Sequence, residues 1–384
     1  MRSRAAILRR YGAPWSVEEF ELDPPRAGEV LVQLAAAGLC HSDEHIRRGH
    51  LAAPSQQAPT APTIGGHEGS GVVVEVGDGV TDLSPGDHVV TSFVAVCGRC
   101  RWCASGMEYI CDVGAGTMLP GMPTDGTFRH HDRDGRDLAH VSKIGAFAEH
   151  TVVAAASLVK IEPQLPLLPA ALLACAAPTG YGSAAYRAGV RGGDTVVVIG
   201  VGGIGVAAVQ GARINGAVRI IAVDPVAFKR ESALAFGATH AAATAGEAFA
   251  LVADLTRGVM ADAVVVSPAV IADTDIEDAL RLTRKAGTCV LTGMSAQGTR
   301  TGLDPQDLVL MNKTLCGTVF GSCNPRTDIP LLATLYAAGR LRLDEMITKR
   351  YRLDDINDAY ADLASGSLVR GAIDFGLDSA TAIG

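Results

Sequence analysis

The feature that most constrains the fold is a glycine run set inside a strand, turn and helix pattern. Gly200-Val201-Gly202-Gly203-Ile204-Gly205 follows the β-branched stretch Thr195–Ile199 and opens a helical stretch, Val206–Ile214. A second β-rich run, Ile220–Val223, ends at Asp224, nineteen residues beyond Gly205. A G-x-G-x-x-G run says little alone, but in this order it is the fingerprint of a dinucleotide site. Gly200 permits the tight turn, Gly202 lets a pyrophosphate approach the backbone, and Gly205 lets the helix pack close to its strand. The helix N-terminus then offers free N–H groups and a partial positive charge to the phosphates. Asp224 can accept hydrogen bonds from both adenosine ribose hydroxyls, and its charge would repel a 2′-phosphate. NAD(H) is therefore favoured over NADP(H).

Further β-branched runs, Ala263–Val266 and Thr288–Leu291, alternate with helical stretches. That alternation predicts an α/β unit: a doubly wound parallel sheet of the Rossmann type. The first third of the chain reads differently. Short runs such as Glu29–Leu34, Gly71–Val76 and Asp87–Thr91 are punctuated by Pro24-Pro25, Asp78-Gly79 and Pro85-Gly86, which suits a mostly antiparallel β domain. The segment Gly114–Gly145 reads as a long irregular loop, functional or inserted. After about Ser322 the chain turns helical at Ile329–Gly339 and Leu353–Ala364, then closes on a strand at Arg370–Phe375.

Of the 384 residues 48% are hydrophobic and 19% charged, with a net charge of -8, which argues against disorder. No stretch is rich in Lys and Arg, so nucleic acid and anionic membrane are poor partners. The apolar run near Met1 is broken at once by Arg9 and Arg10, too short for a secretion signal. The uncharged stretch Thr195–Gly211 is short for a membrane span. These features predict a soluble cytoplasmic protein.

Four of the nine cysteines crowd into Cys97-Gly98-Arg99-Cys100-Arg101-Trp102-Cys103 and Cys111. Thiolates spaced two residues apart on a tight turn can reach one ion, and four complete a tetrahedron. Such a closed site has a structural role. An iron–sulfur cluster also takes four cysteines; the compact lobe and the nicotinamide fold favour zinc. Cys40, the pair His67-Glu68 and Cys175 stand apart in the sequence, and spacing alone does not join them.

The segments Gly38–His45, Gly65–Gly69, the four-cysteine lobe, Cys175–Gly182 and Gly200–Gly205 together resemble the zinc-dependent medium-chain alcohol dehydrogenases, in family order across nearly the whole chain. The resemblance implies a mostly-β, GroES-like catalytic domain (1–179 and 323–384, with the zinc lobe at 97–111) around a Rossmann domain (180–322). It implies two zinc ions per chain. The catalytic one would be held by Cys40, His67 and Cys175, the Cys2His set known for alcohol dehydrogenase. Glu68 matches the acidic residue beside that zinc, and Asp43 the carboxylate that orients His67. Ser42 matches the hydroxyl that takes the substrate proton, passed through the cofactor ribose to His45 at the surface end. His41 and Arg370 match pyrophosphate contacts, and Lys229 an adenosine ribose contact. Thr179 matches a neighbour of the nicotinamide. Thr292, Gly293, Met294 and Phe320 match strand-end contacts to the nicotinamide half, and Phe93 a wall of the substrate pocket.

The lobe Cys97–Cys103, Val223-Asp224-Pro225 and Phe320–Arg326 resemble more narrowly the nicotinoprotein branch, also called NDMA-dependent alcohol dehydrogenases. This implies NAD(H) held through turnover and electrons passed to a separate acceptor such as mycofactocin. An ordinary NAD-exchanging dehydrogenase for alcohols or thiol adducts of formaldehyde is the near alternative. A zinc-stabilised NAD(H)-binding redox sensor is the alternative from another class; an open zinc site and an intact relay argue against it. The run Lys313–Phe320 matches the edge strand that family members pair with a second subunit, and the long Gly114–Gly145 segment resembles their dimeric enzymes, so the resemblance implies a homo-oligomer, most simply a dimer. Gly114–Gly145 is also the expected cover that slows cofactor release.

Overall fold

The structure is a computed structural model that describes residues 1–52, 58–116, 119–296 and 298–377. Three β assemblies organise it. Six strands form one parallel sheet in the order His240–Ala242, Arg219–Val223, Thr195–Ile199, Ala261–Val266, Thr283–Leu291, Thr314–Gly317. The fingerprint strand lies at its centre, where the strand order reverses, and a dinucleotide crevice opens at that switch point. Its side chains are buried on both faces, as expected of a parallel strand covered by helices.

The second assembly is a mixed sheet around Glu29–Gly38, which pairs antiparallel with Glu68–Val76, His150–Ala154 and the late strand Arg370–Asp374. The register of this sheet builds the site. Gly38 stands opposite Glu68 on one side and Ala372 on the other. Cys40, Glu68 and Arg370 are therefore gathered at one end of three adjacent strands, although more than 300 residues separate Arg370 from Glu68.

The third assembly corrects one expectation. Gly114–Gly145 is not a long irregular loop. It contains the strands His130–His131 and Asp137–His140, which close a small barrel with Arg2–Leu8, Ser16–Leu22 and Thr63–Ile64. Residues 117–118 of this segment lie outside the described residues. Arg129 is completely buried there and donates two hydrogen bonds of 2.7 Å to Glu29. Among the described residues, the side-chain partners of 119–145 lie within the first 160 residues: Arg9, Asp23, Arg26, Glu29 and Thr151 are examples. A segment pinned in this way is a wall of the barrel, and its role as a movable cover has no support in these contacts.

No single helix among the described residues is long and apolar enough to cross a membrane; one bent pair, Leu167–Ala174 with Ala176–Arg187, passes by length and composition. Residues 167–184 of that pair are buried between the assemblies as core.

Candidate active site

Four donors from three distant segments converge: Cys40, His67, Glu68 and Cys175 offer ligand atoms that all lie within 4.8 Å of one another, and all four residues are buried. Cys40 caps the helix His41–Arg47, directly after the central strand. Cys175 precedes the helix Ala176–Gly182. The Asp43 carboxylate, fully buried, accepts a 3.0 Å hydrogen bond from the Gly66 N–H and lies 3.0 Å from His67 Nδ1. That second contact is short but lacks the alignment of a hydrogen bond. It leaves the other ring nitrogen of His67 for a metal.

The electrostatics suit a cation. A hydrogen bond from Cys175, and then His67 beside it, hold the Cys40 thiol well below the usual range. The same bond, together with burial, pushes Cys175 well above it. Burial raises Glu68 to about 7 against the pull of Arg370, and Glu68 Oε1 is buried with no partner. Two thiols sharing a proton beside an orphaned carboxylate oxygen are donors that a divalent soft ion satisfies. The residues fit zinc.

Arg370 links this cluster to the glycine loop. Its guanidinium pairs closely with Glu68 Oε2, and its side chain packs so tightly on Gly203 that any Cβ there would collide with it. Gly200 has φ +79°, and a Cβ on it would press within 2.7 Å of Pro268 N. Gly205 faces the Gly200 carbonyl with no room for a side chain, whereas a Cβ on Gly202 would meet nothing within 4 Å. The loop is thus closed behind and open in front, as a phosphate cradle requires. Val201 and Ile204 lie in the same loop, and the Val201 N–H donates to Asp224 Oδ2 at 3.0 Å. Asp224 is buried at the end of its strand, and Lys229 is half-buried near Gly366. These residues fit a dinucleotide.

Several of the other expected residues contact the four donors or one another. Thr179 is buried with Oγ1 3.9 Å from Cys175 Sγ. Phe93 stands edge-on to both His67 and Phe320, with centroids 5.8 and 5.3 Å apart. Phe320 and Ser322 hold left-handed backbone, φ 54° and 60°, flanking Gly321. Such a turn persists only where its surroundings enforce it. The Thr292 and Gly293 N–H groups share the Val266 carbonyl at 2.9 and 3.0 Å, while Met294 is exposed. Ser42 Oγ lies 3.5 Å from Cys40 Sγ. His41 is pushed down to about 4 by burial, with Arg370 and Lys229 adding to the effect.

Two residues here were not anticipated. Ser183 donates to the Thr179 carbonyl at 2.6 Å and meets Thr292 Oγ1 at 2.9 Å, joining two nicotinamide-side positions. No sequence signal distinguishes it from an ordinary helix serine. His45 is buried rather than at the surface, and His50, half-exposed, stands beside it. The repeated histidine either side of Gly49 was the available signal.

The second cluster, Cys97, Cys100, Cys103 and Cys111, likewise lies within 4.8 Å. Backbone N–H groups donate to its sulfurs, as at Cys97 Sγ and Cys111 Sγ, both at 3.3 Å. Backbone hydrogen bonds lower Cys100 to about 6, while burial raises Cys103 to about 12. No cysteine is in a disulfide. Asn324 ties the lobe to the helix Pro325–Ala337 by accepting from the Glu108 N–H at 2.8 Å and donating to the Gly106 carbonyl at 2.9 Å.

Known proteins match this arrangement along the chain. Residues 26–163 match the alcohol dehydrogenase GroES-like domain, and residues 203–338 the zinc-binding dehydrogenase model. An NDMA-dependent alcohol dehydrogenase of Amycolatopsis methanolica is 49% identical over 374 residues, 97% of this chain and 99% of the relative. Alcohol dehydrogenase B of Mycobacterium tuberculosis is 44% identical over 376 residues, covering 97% and 98%. The crystal structure of an alcohol dehydrogenase zinc-binding domain protein from Burkholderia ambifaria superposes with TM-score 0.89 at 33% identity, covering 97% of this chain and 99% of that one. Fold and matches together define a dehydrogenase of the GroES-like plus Rossmann architecture. The chain belongs to the zinc-binding, medium-chain alcohol dehydrogenase family, and its likeness to the Amycolatopsis enzyme supports the nicotinoprotein branch.

Proposed function

We propose that this chain interconverts a small-molecule alcohol and its aldehyde using NAD(H) that stays bound through turnover, and passes the electrons to a separate redox acceptor such as mycofactocin. The observation that carries the reading is the meeting of Cys40, His67 and Cys175 within 4.8 Å, linked through Glu68 and Arg370 to the Gly200–Gly205 loop. When bound, zinc supplies Lewis-acid chemistry at the alcohol oxygen and the nicotinamide supplies the hydride carrier. Cys40, His67 and Cys175 hold the metal, Glu68 stands by as an exchangeable donor, and Asp43 orients His67. Ser42 takes the hydroxyl proton and His45 carries it outward. Phe93, Phe320 and Thr179 wall the reacting centre from water. Arg370, His41 and the N–H groups of Gly200–Gly205 bind pyrophosphate; Asp224 and Lys229 bind the adenosine ribose. Backbone groups of Thr292, Gly293, Met294 and Phe320 align the nicotinamide half. A second zinc at Cys97, Cys100, Cys103 and Cys111 is structural. In this reading residues 1–179 and 323–384 form the catalytic domain and 180–322 the cofactor domain of a cytoplasmic homodimer.

The test is to purify the protein without added cofactor, record its spectrum and denature it. The expected result is about one NAD(H) per chain, two zincs, and alcohol turnover with an artificial acceptor but only slow turnover with free NAD. Cofactor-free protein with saturable dependence on added NAD would return the chain to an ordinary exchanging dehydrogenase, with formaldehyde–thiol adducts among the substrates to try.

A further inference from the structure

The helix His41–Arg47 ends in a way that brings two imidazoles face to face. Gly49 has φ +74°, the Gly49 N–H donates to the Ile46 carbonyl at 2.9 Å, and the His50 N–H donates to the His45 carbonyl at 2.9 Å. This crossed pair of bonds around a left-handed glycine is a Schellman ending. It places the residue after the glycine against the residue five positions earlier, a contact that is usually hydrophobic. Here both are histidines: His45 Nδ1 lies 2.9 Å from His50 Nδ1, with ring centroids 5.2 Å apart.

The hydrogens of this pair follow from its partners. His45 Nε2 is 2.7 Å from the Ala269 carbonyl. A carbonyl only accepts, so His45 Nε2 carries the hydrogen and its Nδ1 is the bare acceptor. The hydrogen between the rings then belongs to His50 Nδ1, and His50 Nε2 holds a lone pair. His45 is only 5% exposed, at the wall of a cleft that it shares with His50. His50 is half-exposed and opens on a cleft of about 210 Å³ lined by His41, Glu44, Arg48, Val270 and Tyr360. Arg48 bonds Glu44 at 2.6 Å, so the charges facing the pair are themselves paired.

We propose that His50 is the outer half of a two-imidazole proton wire, acting through His45 to release to solvent the proton taken from the alcohol. The inference rests on the dehydrogenase reading above. In oxidation the wire starts with hydrogens on His45 Nδ1 and His50 Nε2. A proton enters at His45 Nε2, the bridging hydrogen crosses from His45 Nδ1 to His50 Nδ1, and the hydrogen on His50 Nε2 leaves to water. One proton enters and one leaves without a ring turning, and the wire is reset when a proton is drawn back in as the separate acceptor is reduced. The structure shows the arrangement after release, and aldehyde reduction runs the same steps backward. Burial and the neighbouring His45 and Arg48 lower the His50 pKa, which favours release from the outer ring.

The first test is ¹⁵N NMR of histidine-labelled protein as isolated. The expected result is the Nε2–H form of His45 and the Nδ1–H form of His50, with a coupling across the hydrogen bond between the two Nδ1 atoms that is lost in His50→Gln. The second test is the rate of aldehyde reduction by the reduced cofactor in a single turnover, the direction for which this arrangement is loaded. His50→Gln should slow it about tenfold, develop a solvent deuterium isotope effect, and be rescued by imidazole buffer. A purely structural role would yield neither the isotope effect nor the rescue. Gly49→Ala, which strains the turn and brings a Cβ within 3.0 Å of the Tyr11 ring, should reproduce the loss with both histidines intact. The proposal is overturned if His45 is in the Nδ1–H form with no coupling to His50, or if His50→Gln leaves the single-turnover rate and its isotope effect unchanged. Wild-type protein that oxidises no alcohol would instead defeat the dehydrogenase reading, and the NMR result would still decide the pair.

Discussion

Asp43 does two things with one buried carboxylate: one oxygen fixes the Gly66 N–H and so the turn before His67, and the other faces the His67 ring. A metal-bound imidazole is oriented and made more basic by such an acceptor. Asp43→Asn keeps the shape but removes the charge, so the His67 site should hold zinc roughly 10–100-fold less tightly. Mild chelation of the variant should remove one zinc and the alcohol turnover while leaving the four-cysteine zinc in place. Metal analysis before and after chelation checks this, and equal retention at both sites would show that Asp43 is dispensable for His67. Arg370 shows a different economy of contacts. Pressed on Gly203 and paired with Glu68, it spans the phosphate loop and the metal cluster, so the two sites sense one side chain.

At the scale of elements, the four-cysteine lobe is fastened into the fold by its neighbours. Its sulfurs cluster within 4.8 Å, and Asn324 and Arg326 fasten the lobe to the start of the helix Pro325–Ala337. Cys103→Ser should therefore lose the lobe zinc, about half of the metal expected from two sites, and lower the thermal midpoint before it affects the chemistry at Cys40. Zinc content and calorimetry decide it; a stable variant with full zinc would remove the structural role. The small barrel carries a pH prediction. His140 is lowered to about 3 by burial and then by Lys143, and His130, 2.6 Å away, is lowered well below its usual value by burial and by His140. Both are neutral when folded but titrate near 6.5 when unfolded. Stability is then complete above about pH 6.5 and falls as pH drops toward about 3, since the unfolded chain binds more protons. His140→Gln should flatten the slope of the urea midpoint between these limits; an unchanged slope would acquit the pair. This barrel is also where the sequence was least readable. Thr63–Ile64 and His130–His131 are two-residue strands, too short to show alternation, and their partners are distant in the chain. The centre of the parallel sheet was legible because Thr195–Ile199, Arg219–Val223 and Ala261–Val266 are rich in β-branched residues and the glycine loop is contiguous, whereas the edge strand His240–Ala242 carries no such run and went unread. Cys40, His67 and Cys175 were joined only by resemblance, because no local pattern encodes a meeting of three separate segments. His50 went unread because a Schellman contact depends on a turn that periodicity does not show.

At the scale of the whole molecule, the parallel sheet and the mixed sheet around Glu29–Gly38 are joined by the His45–Ala269 hydrogen bond and by the packing of Arg370 on Gly203, the two halves of the proposed reading. With Gly114–Gly145 built into the barrel, slow release of NAD(H) would have to come from closure of these halves on one another. The parallel sheet also poses a problem of its own. Among the described residues its last strand, Thr314–Gly317, pairs on one side only, with Thr283–Leu291. A bare strand edge is a template for another chain unless it is covered. The ground beside it is apolar: Val309 is 76% and Leu310 72% exposed on the preceding helix, and Val319 is 45% exposed just beyond the strand. Isolated exposed aliphatics need no explanation, but several flanking an unpaired edge mark an interface. A two-fold partner that set its own edge against this one would pair both strands and bury both patches in a closed dimer. Leu310→Glu with Val309→Lys should therefore shift the protein from dimer to monomer, raising the dissociation constant by roughly 10²-fold or more, as expected for loss of apolar anchors at an interface. The cofactor sheet itself should stay folded. Sedimentation velocity across a dilution series gives the answer. Wild-type protein that sediments as a monomer at micromolar concentration, or a double variant that dimerises as well as wild type, would show that this edge is left open.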